Sequence, residues 1–180
     1  VDQVLQEDSP EVYGPRMDRK EVADKVLERL KWAEENIGNF TSEDGKNTIN
    51  QDCVRAALSR FTLREGTWRK YHELGDYEKY LQECVRVSEL LMKDYPILYK
   101  GTDNQPAAGY GEMWISPDLE GIPGVIFYKS YVENMNEHSM GHVEHTSSHY
   151  VEMSHNTVNL YLMKNGKPIM NETSGYHGEK

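Results

Sequence analysis

The hydrophobic period of the chain changes once, and that change constrains the architecture more than any motif does. From residue 18 to residue 92 apolar side chains recur every three or four positions, whereas from residue 142 to residue 153 they alternate with polar ones. The first spacing puts a stripe along each of several helices, and the second puts one face of a strand against a core. Helices first and strands last point to an α+β domain in which N-terminal helices pack on a C-terminal curved antiparallel sheet.

Asp18 stands three residues before Glu21, a capping-box spacing, and Val22, Val26, Leu30, Ala33 and Ile37 follow on one face up to Gly38. Val54, Ala57, Leu58, Phe61 and Trp68 mark a second helix, with Gly66 a weak point in its middle. After Gly75-Asp76, a third helix carries a broad stripe through Tyr77, Tyr80, Leu81, Cys84, Val85, Ser88, Leu91 and Met92. The Pro- and Gly-rich stretch from Pro96 to Pro123 reads as loop around a short strand, Glu112 to Ile115. Pro123 suits the first position of a fourth helix with Val125, Tyr128, Tyr131, Val132 and Met135 on its apolar face. Val143, His145, Ser147, His149, Val151 and Met153 line one face of a strand, Val158, Leu160 and Leu162 continue in a second, and Asn165-Gly166 signals a hairpin. Residues 1 to 17 are acidic and aperiodic, an extended arm before a single domain over 18–180.

A chain of 180 residues suits one domain. Its 20 Lys and Arg against 30 Asp and Glu give a net charge of −10, which repels phosphate backbones and anionic lipid. No stretch approaches the ~20 apolar residues of a membrane span, so neither a nucleic-acid nor a membrane partner is expected. The start Val1-Asp2-Gln3 lacks the basic and apolar regions of a secretion signal, but a chain that begins without Met is compatible with a removed targeting segment, so the localisation stays open, with a soluble, cytoplasmic protein favoured. Cys53 and Cys84, with no Cys-x-x-Cys, read as free thiols. Leu, Ile, Val and Phe number only 36, and 12 Tyr, 8 Met and 3 Trp supplement them, a set that suits a core around a pocket.

Five of the seven histidines, His138, His142, His145, His149 and His155, fall within 18 residues. On a helix the first four would share one face and could hold Zn²⁺ or Cu²⁺, with Met135, Met140 and Met153 as softer contacts for copper. On a strand His145 and His149 share a face about 13 Å apart, at roughly 3.3 Å per residue, too far for one ion. The β-branched and aromatic neighbours favour the strand, and Gly141 disfavours a continuous helix. His145 and His149 would then be partly desolvated, available for acid–base work or satisfied as core side chains. Tyr71 and Asp76 meet at the corner between the second and third helices, where a carboxylate can take a proton while a tyrosine polarises an oxygen. An Asp just before an amphipathic helix equally suits an N-cap.

Two helices closing on Tyr71-x4-Asp76, a third helix, a glycine-led segment from Leu119 to Val132, then His145-Thr146 on a strand with an alternating partner: this order resembles the SnoaL-like or NTF2-like cone family over residues 48 to 170. That family includes dehydratases, ketosteroid isomerases and polyketide cyclases. The resemblance implies a lyase, dehydratase or isomerase acting without a cofactor, with Tyr71, Asp76 and His145 catalytic and His142 a competitor for the last role. The substrate expected is a small hydrophobic or partly polar molecule, with His142, His149, Trp114 and Tyr128 lining its pocket. Little chain remains after Met170 for further strands, so the cone is expected to be incomplete, with exposed edges that favour a homo-oligomer. Two other readings compete: a Zn or Cu protein using His138, His142, His145 and His149, and a non-catalytic interaction or assembly module whose negative charge selects a basic partner.

Overall fold

A computed structural model describes residues 4–38, 47–102, 106–132, 134, 135, 137 and 153–177. The chain forms two compact units, Val1–Ser130 and Tyr131–Lys180. In the first, the single-turn α1 (Pro10–Tyr13) lies in the acidic arm and is followed by α2 (Arg19–Asn36), α3 (Gln51–Tyr71), α4 (Glu78–Asp94) and α5 (Pro106–Ile115). The second contains the short α6 (His155–Asn159).

Helices α2 to α4 follow from the 3.6-residue period. The Asp18 carboxylate caps α2 by accepting the backbone N–H groups of Lys20 (2.8 Å) and Glu21 (3.3 Å), and the Asn50 side chain does the same for α3 at Asp52 and Cys53. Helix α3 packs on both α2 and α4. The apolar centre is small: buried Val54, Leu58 and Val87, with Leu27, Leu30, Ala33 and Ile37 of α2 and its C-cap partly buried against them. Gly66, which helix propensity marks as a weak point, packs directly against Tyr80 and Leu81 of α4. A Cβ there would lie 2.6 Å from Leu81 Cδ2, 2.8 Å from Leu81 Cγ and 3.2 Å from Tyr80 Cβ. The glycine is therefore a packing requirement between α3 and α4, which Ser59 and Ser88 also join through their hydroxyls at 2.8 Å.

The α+β expectation is corrected. Among the described residues 51% are helical and 2% lie in strands, with no sheet, so helices packed on a curved sheet, and with them the NTF2-like cone, are not the observed architecture. The piece Glu112 to Ile115 is the last part of α5, which begins at Pro106 and runs through Ala107 and Ala108. Proline at the start and two alanines favour helix, and four residues are too few for periodicity to decide. Pro123 opens no helix. Gly121 and Gly124 on either side adopt left-handed backbone (φ +70° and +88°), and the Tyr128 N–H donates to Asn47 Oδ1 at 3.0 Å instead of to a helical carbonyl.

In the second unit, Val158 lies in α6 rather than in a strand, because Ser154 caps that turn by accepting the Thr157 N–H at 3.2 Å. Leu160 and Leu162 are largely exposed, so their alternation marks no buried face. The hairpin signal at Asn165-Gly166 does produce a reversal. Gly166 has φ +75°, the Met163 N–H donates to the Lys167 carbonyl at 2.9 Å, and Leu162 and Pro168 form one antiparallel bridge. The alternating segment 142–152 lies outside the described residues.

Candidate functional site: a tyrosine-edged acidic cleft

The first turn of α3 and the last turn of α4 are tied together by a charged cluster. Arg55 donates to Glu34 Oε1 (3.1 Å) and Asp52 Oδ1 (3.2 Å) and lies 3.5 Å from Asp94 Oδ2. Arg86 reaches the same Glu34 and also Glu83. Just past α4, the Tyr95 hydroxyl donates to Asp52 Oδ2 at 3.0 Å. Asp52 in the first turn of its helix also lies favourably with respect to the helix dipole.

The loop after α5 folds over this corner. Gly124 makes that approach possible, since a Cβ on it would lie 3.2 Å from Leu98 Cδ2, and the Asn47 side chain anchors the far end at the Tyr128 N–H. Between loop and helices lies a cleft of about 480 Å³, within the range of small-molecule sites. Its polar lining comprises the carboxylates of Asp52, Asp94 and Glu120, the hydroxyls of Tyr95 and Tyr128, and Asn47. Leu119, Ile122, Val125 and Ile126 supply apolar wall, and no lysine or arginine is among the described lining residues. Asp94 is 46% exposed, so its carboxylate is reachable from solvent. Burial, with the bond to Asp52, pushes the Tyr95 hydroxyl up to about 12, and burial with the Asp118 carboxylate raises Tyr128.

A second cluster lies at the other end of the bundle, around the fully buried Arg69. Its Nε donates to Glu65 Oε1 at 2.7 Å, its Nη1 to Asp76 Oδ2 at 3.1 Å, and its Nη2 to Asp24 (3.1 Å), to the Tyr80 oxygen (3.0 Å) and to the Lys20 carbonyl (3.3 Å). The guanidinium lies 4.4 Å from the Tyr80 ring centre, a cation–π distance. Tyr80 donates to Asp24 at 2.6 Å, and Arg19 clamps Glu65 with two bonds. Burial pushes Asp24 up, but the Tyr80 and Lys79 bonds and the Arg69 charge outweigh it and hold the carboxyl at about 2.

Of the sequence candidates, Tyr71, Asp76, Trp114 and Tyr128 are among the described residues. Asp76 is not the N-cap of α4, a position held by Tyr77. Its backbone is left-handed (φ +41°), its carboxylate is paired with Lys20 at 3.0 Å and with Arg69, and the Lys20 ammonium holds its pKa below the ordinary value. Tyr71 ends α3 with 83% of its surface exposed. Trp114 is exposed on α5, edge-on to Tyr110 with ring centres 6.0 Å apart, while Tyr128 lies on the cleft. His138, His142, His145 and His149, and with them the proposed acid–base histidine and metal stripe, lie outside the described residues, as does Met140. Among the described residues no group of three or more His, Cys, Asp or Glu side chains is arranged to hold a metal ion. Cys53 and Cys84 are free, and no described helix is long and apolar enough to cross a membrane.

Proton-transfer catalysis needs a group whose pKa is moved towards the working pH. Among the described residues the carboxyls of Asp24, Glu34, Glu65, Asp76 and Glu112 are shifted down and the hydroxyls of Tyr80, Tyr95, Tyr99 and Tyr128 up, away from neutrality. The shifts of Asp24, Glu34, Glu65 and Asp76 arise in groups paired with arginine or lysine in the helical bundle, and those of Tyr95, Tyr99, Glu112 and Tyr128 in hydrogen bonds or beside a carboxylate. Their sign gives a pH prediction. A depressed carboxyl stabilises the fold above its unfolded value near 3.9 and ceases to as pH falls through its folded value. The melting temperature, followed by circular dichroism, is expected to be level from pH 7 to 5 and to fall between pH 4 and pH 2, where Asp24 protonates. A decline already under way at pH 6 would assign the acid sensitivity to other groups.

Comparison of the chain with protein-family models, with curated proteins and with solved structures gives no match. The cone-family resemblance therefore rests on the quoted residues alone.

Proposed function

We propose that this protein is a non-catalytic binding module whose cleft takes a cationic group of a basic partner. The observation that carries the reading is the lining of the cleft: three acidic residues and two tyrosines around an apolar wall, with no lysine or arginine among the described lining residues and Arg55 behind Asp52 and Asp94. A lysine or guanidinium head would meet the carboxylates while its methylene stem lay along Leu119 and Ile122. The overall charge of −10 favours encounter with such a partner.

The test is titration of a fluorescently labelled deca-lysine peptide into the full chain at low and at physiological salt. The double variant Asp94→Asn/Glu120→Gln is expected to weaken binding by about ten-fold or more, since each lost charge contact is worth about a kcal/mol. A control of equal charge change away from the cleft, Glu28→Gln/Glu35→Gln, is expected to bind like the unaltered protein. Equal weakening by both pairs would reduce the interaction to net charge and overturn the reading.

A further inference from the structure

A second surface, separate from the cleft, lies along the seam of α2 and α3. Val22, Ala23 and Val26 of α2 and Phe61 of α3 wall an apolar groove of about 400 Å³, with Arg19, Arg64 and Glu65 completing its lining. Glu65 offers no free negative charge there, since Arg19 and Arg69 occupy both of its oxygens. Arg19 is half exposed and held flat by Glu65 and by the face of Trp68, 4.9 Å away, so its position is set in advance. Arg60 and Arg64, one turn apart on α3, are exposed and have no ion-pair partner among the described residues. On the α2 side Lys25 is paired with Glu21 at 3.4 Å. In a chain with a ten-charge acidic excess, the groove lining thus carries two arginines, Arg19 and the unpaired Arg64, with the unpaired Arg60 one turn before Arg64 on the same helix.

We infer that the α2–α3 groove is a docking site for an amphipathic helix of a partner protein whose polar face carries carboxylates. The eight residues from Arg19 to Val26 cover two turns, about 10 Å over seven steps of ~1.5 Å. That length accommodates apolar anchors spaced i, i+3/i+4 and i+7 on a docked helix. Val22, Val26, Phe61 and the exposed edge of Trp68 receive the anchors. Arg60 and Arg64 meet the carboxylates that flank them. Charge selects the partner: the same apolar helix bearing lysines would place cations against Arg19, Arg60 and Arg64. The inference stands on residues the cleft does not use, so either can fail without the other.

The probe is a labelled 16-residue peptide with leucines at helical i, i+3, i+4 and i+7 spacing and glutamates elsewhere, compared with a twin in which lysines replace the glutamates. Fluorescence anisotropy against the full chain is expected to show the Glu peptide binding at least ten-fold more tightly than the Lys twin. The surface variant Arg60→Gln/Arg64→Gln is expected to remove most of that preference without altering the melting temperature, while Asp94→Asn/Glu120→Gln leaves it intact. Absence of Glu-peptide binding, equal affinity for both peptides, or a preference unchanged by the arginine substitutions would overturn the inference. So would a concentration-dependent dimer abolished by Val26→Asp, which would give the groove to a second copy.

Discussion

Replacing Arg69 by Met is expected to destabilise the helical unit by about 3 to 5 kcal/mol, the range found when one member of a buried charge pair is removed. Methionine retains the bulk of the stem but none of the donors. The Arg69 side chain is 1% exposed and Glu65 4%, so their 2.7 Å bond lies where water does not reach. Without it Glu65 retains only Arg19, the Lys20 carbonyl loses its side-chain donor, and Tyr80 loses the cation over its ring. Asp24 and Asp76 are more than a third exposed, and each forfeits only the ~0 to 1 kcal/mol of a surface pair. Against a total stability of about 5 to 15 kcal/mol for a domain, such a loss leaves R69M close to unfolding at room temperature. Urea denaturation followed by circular dichroism would measure it. A loss under about 1 kcal/mol would mean that the carboxylates around Arg69 are solvated in the folded state.

Gly66→Val is expected to destabilise by about 3 kcal/mol, at the top of the range for overpacking. Helix propensity alone predicts the opposite sign, since most residues replace glycine in a helix interior with a gain of a few tenths of a kcal/mol or more. Packing decides because the new Cβ would stand 2.6 Å from Leu81 Cδ2 and 3.2 Å from Tyr80 Cβ. Leu81 can turn its methyl aside, but Tyr80 Cβ is fixed by the hydroxyl bond to Asp24 at the far end of the side chain. α4 must therefore shift against α3, straining the Arg69 cluster as well. Stabilisation by the same substitution would show that the two helices slide freely at this point.

The contrast at Gly66 shows what was legible in the sequence. Periodicity and caps located α2, α3 and α4, because Asp18 and the stripes through Leu30, Leu58 and Tyr80 report local structure and burial together, although the stripe on α4 took in the exposed Val85 and Met92 and passed over the buried Val87. Where those two signals part, reading failed. Val158, Leu160 and Leu162 alternate, yet the local Ser154 cap makes Val158 helical and no sheet covers the other two. At the site, Asp76 stood out as a carboxylate at a helix corner. Its surroundings are set by Lys20 of α2 and by the buried Arg69, seven residues back, and an arginine is not ordinarily expected inside. One signal was present: Leu58, Thr62, Glu65 and Arg69 follow i, i+4, i+7, i+11 on α3, so the buried stripe continues from apolar into charged side chains. The cleft had no such signal, because a loop placed by two left-handed glycines and one asparagine leaves no period to read.

Only Ala23, Val54, Leu58, Tyr80 and Val87 are buried apolar residues among those described, while Arg69, Glu65, Glu34, Glu83 and Asp52 are buried beside them. Heat capacity of unfolding rises with newly hydrated apolar surface and falls with newly hydrated polar surface. A bundle so composed has a heat-capacity increment below the ~12 to 15 cal/mol/K per residue of ordinary domains. Its stability curve against temperature is correspondingly shallow, and cooling erodes the fold less than it would one held together mainly by oil-like contacts.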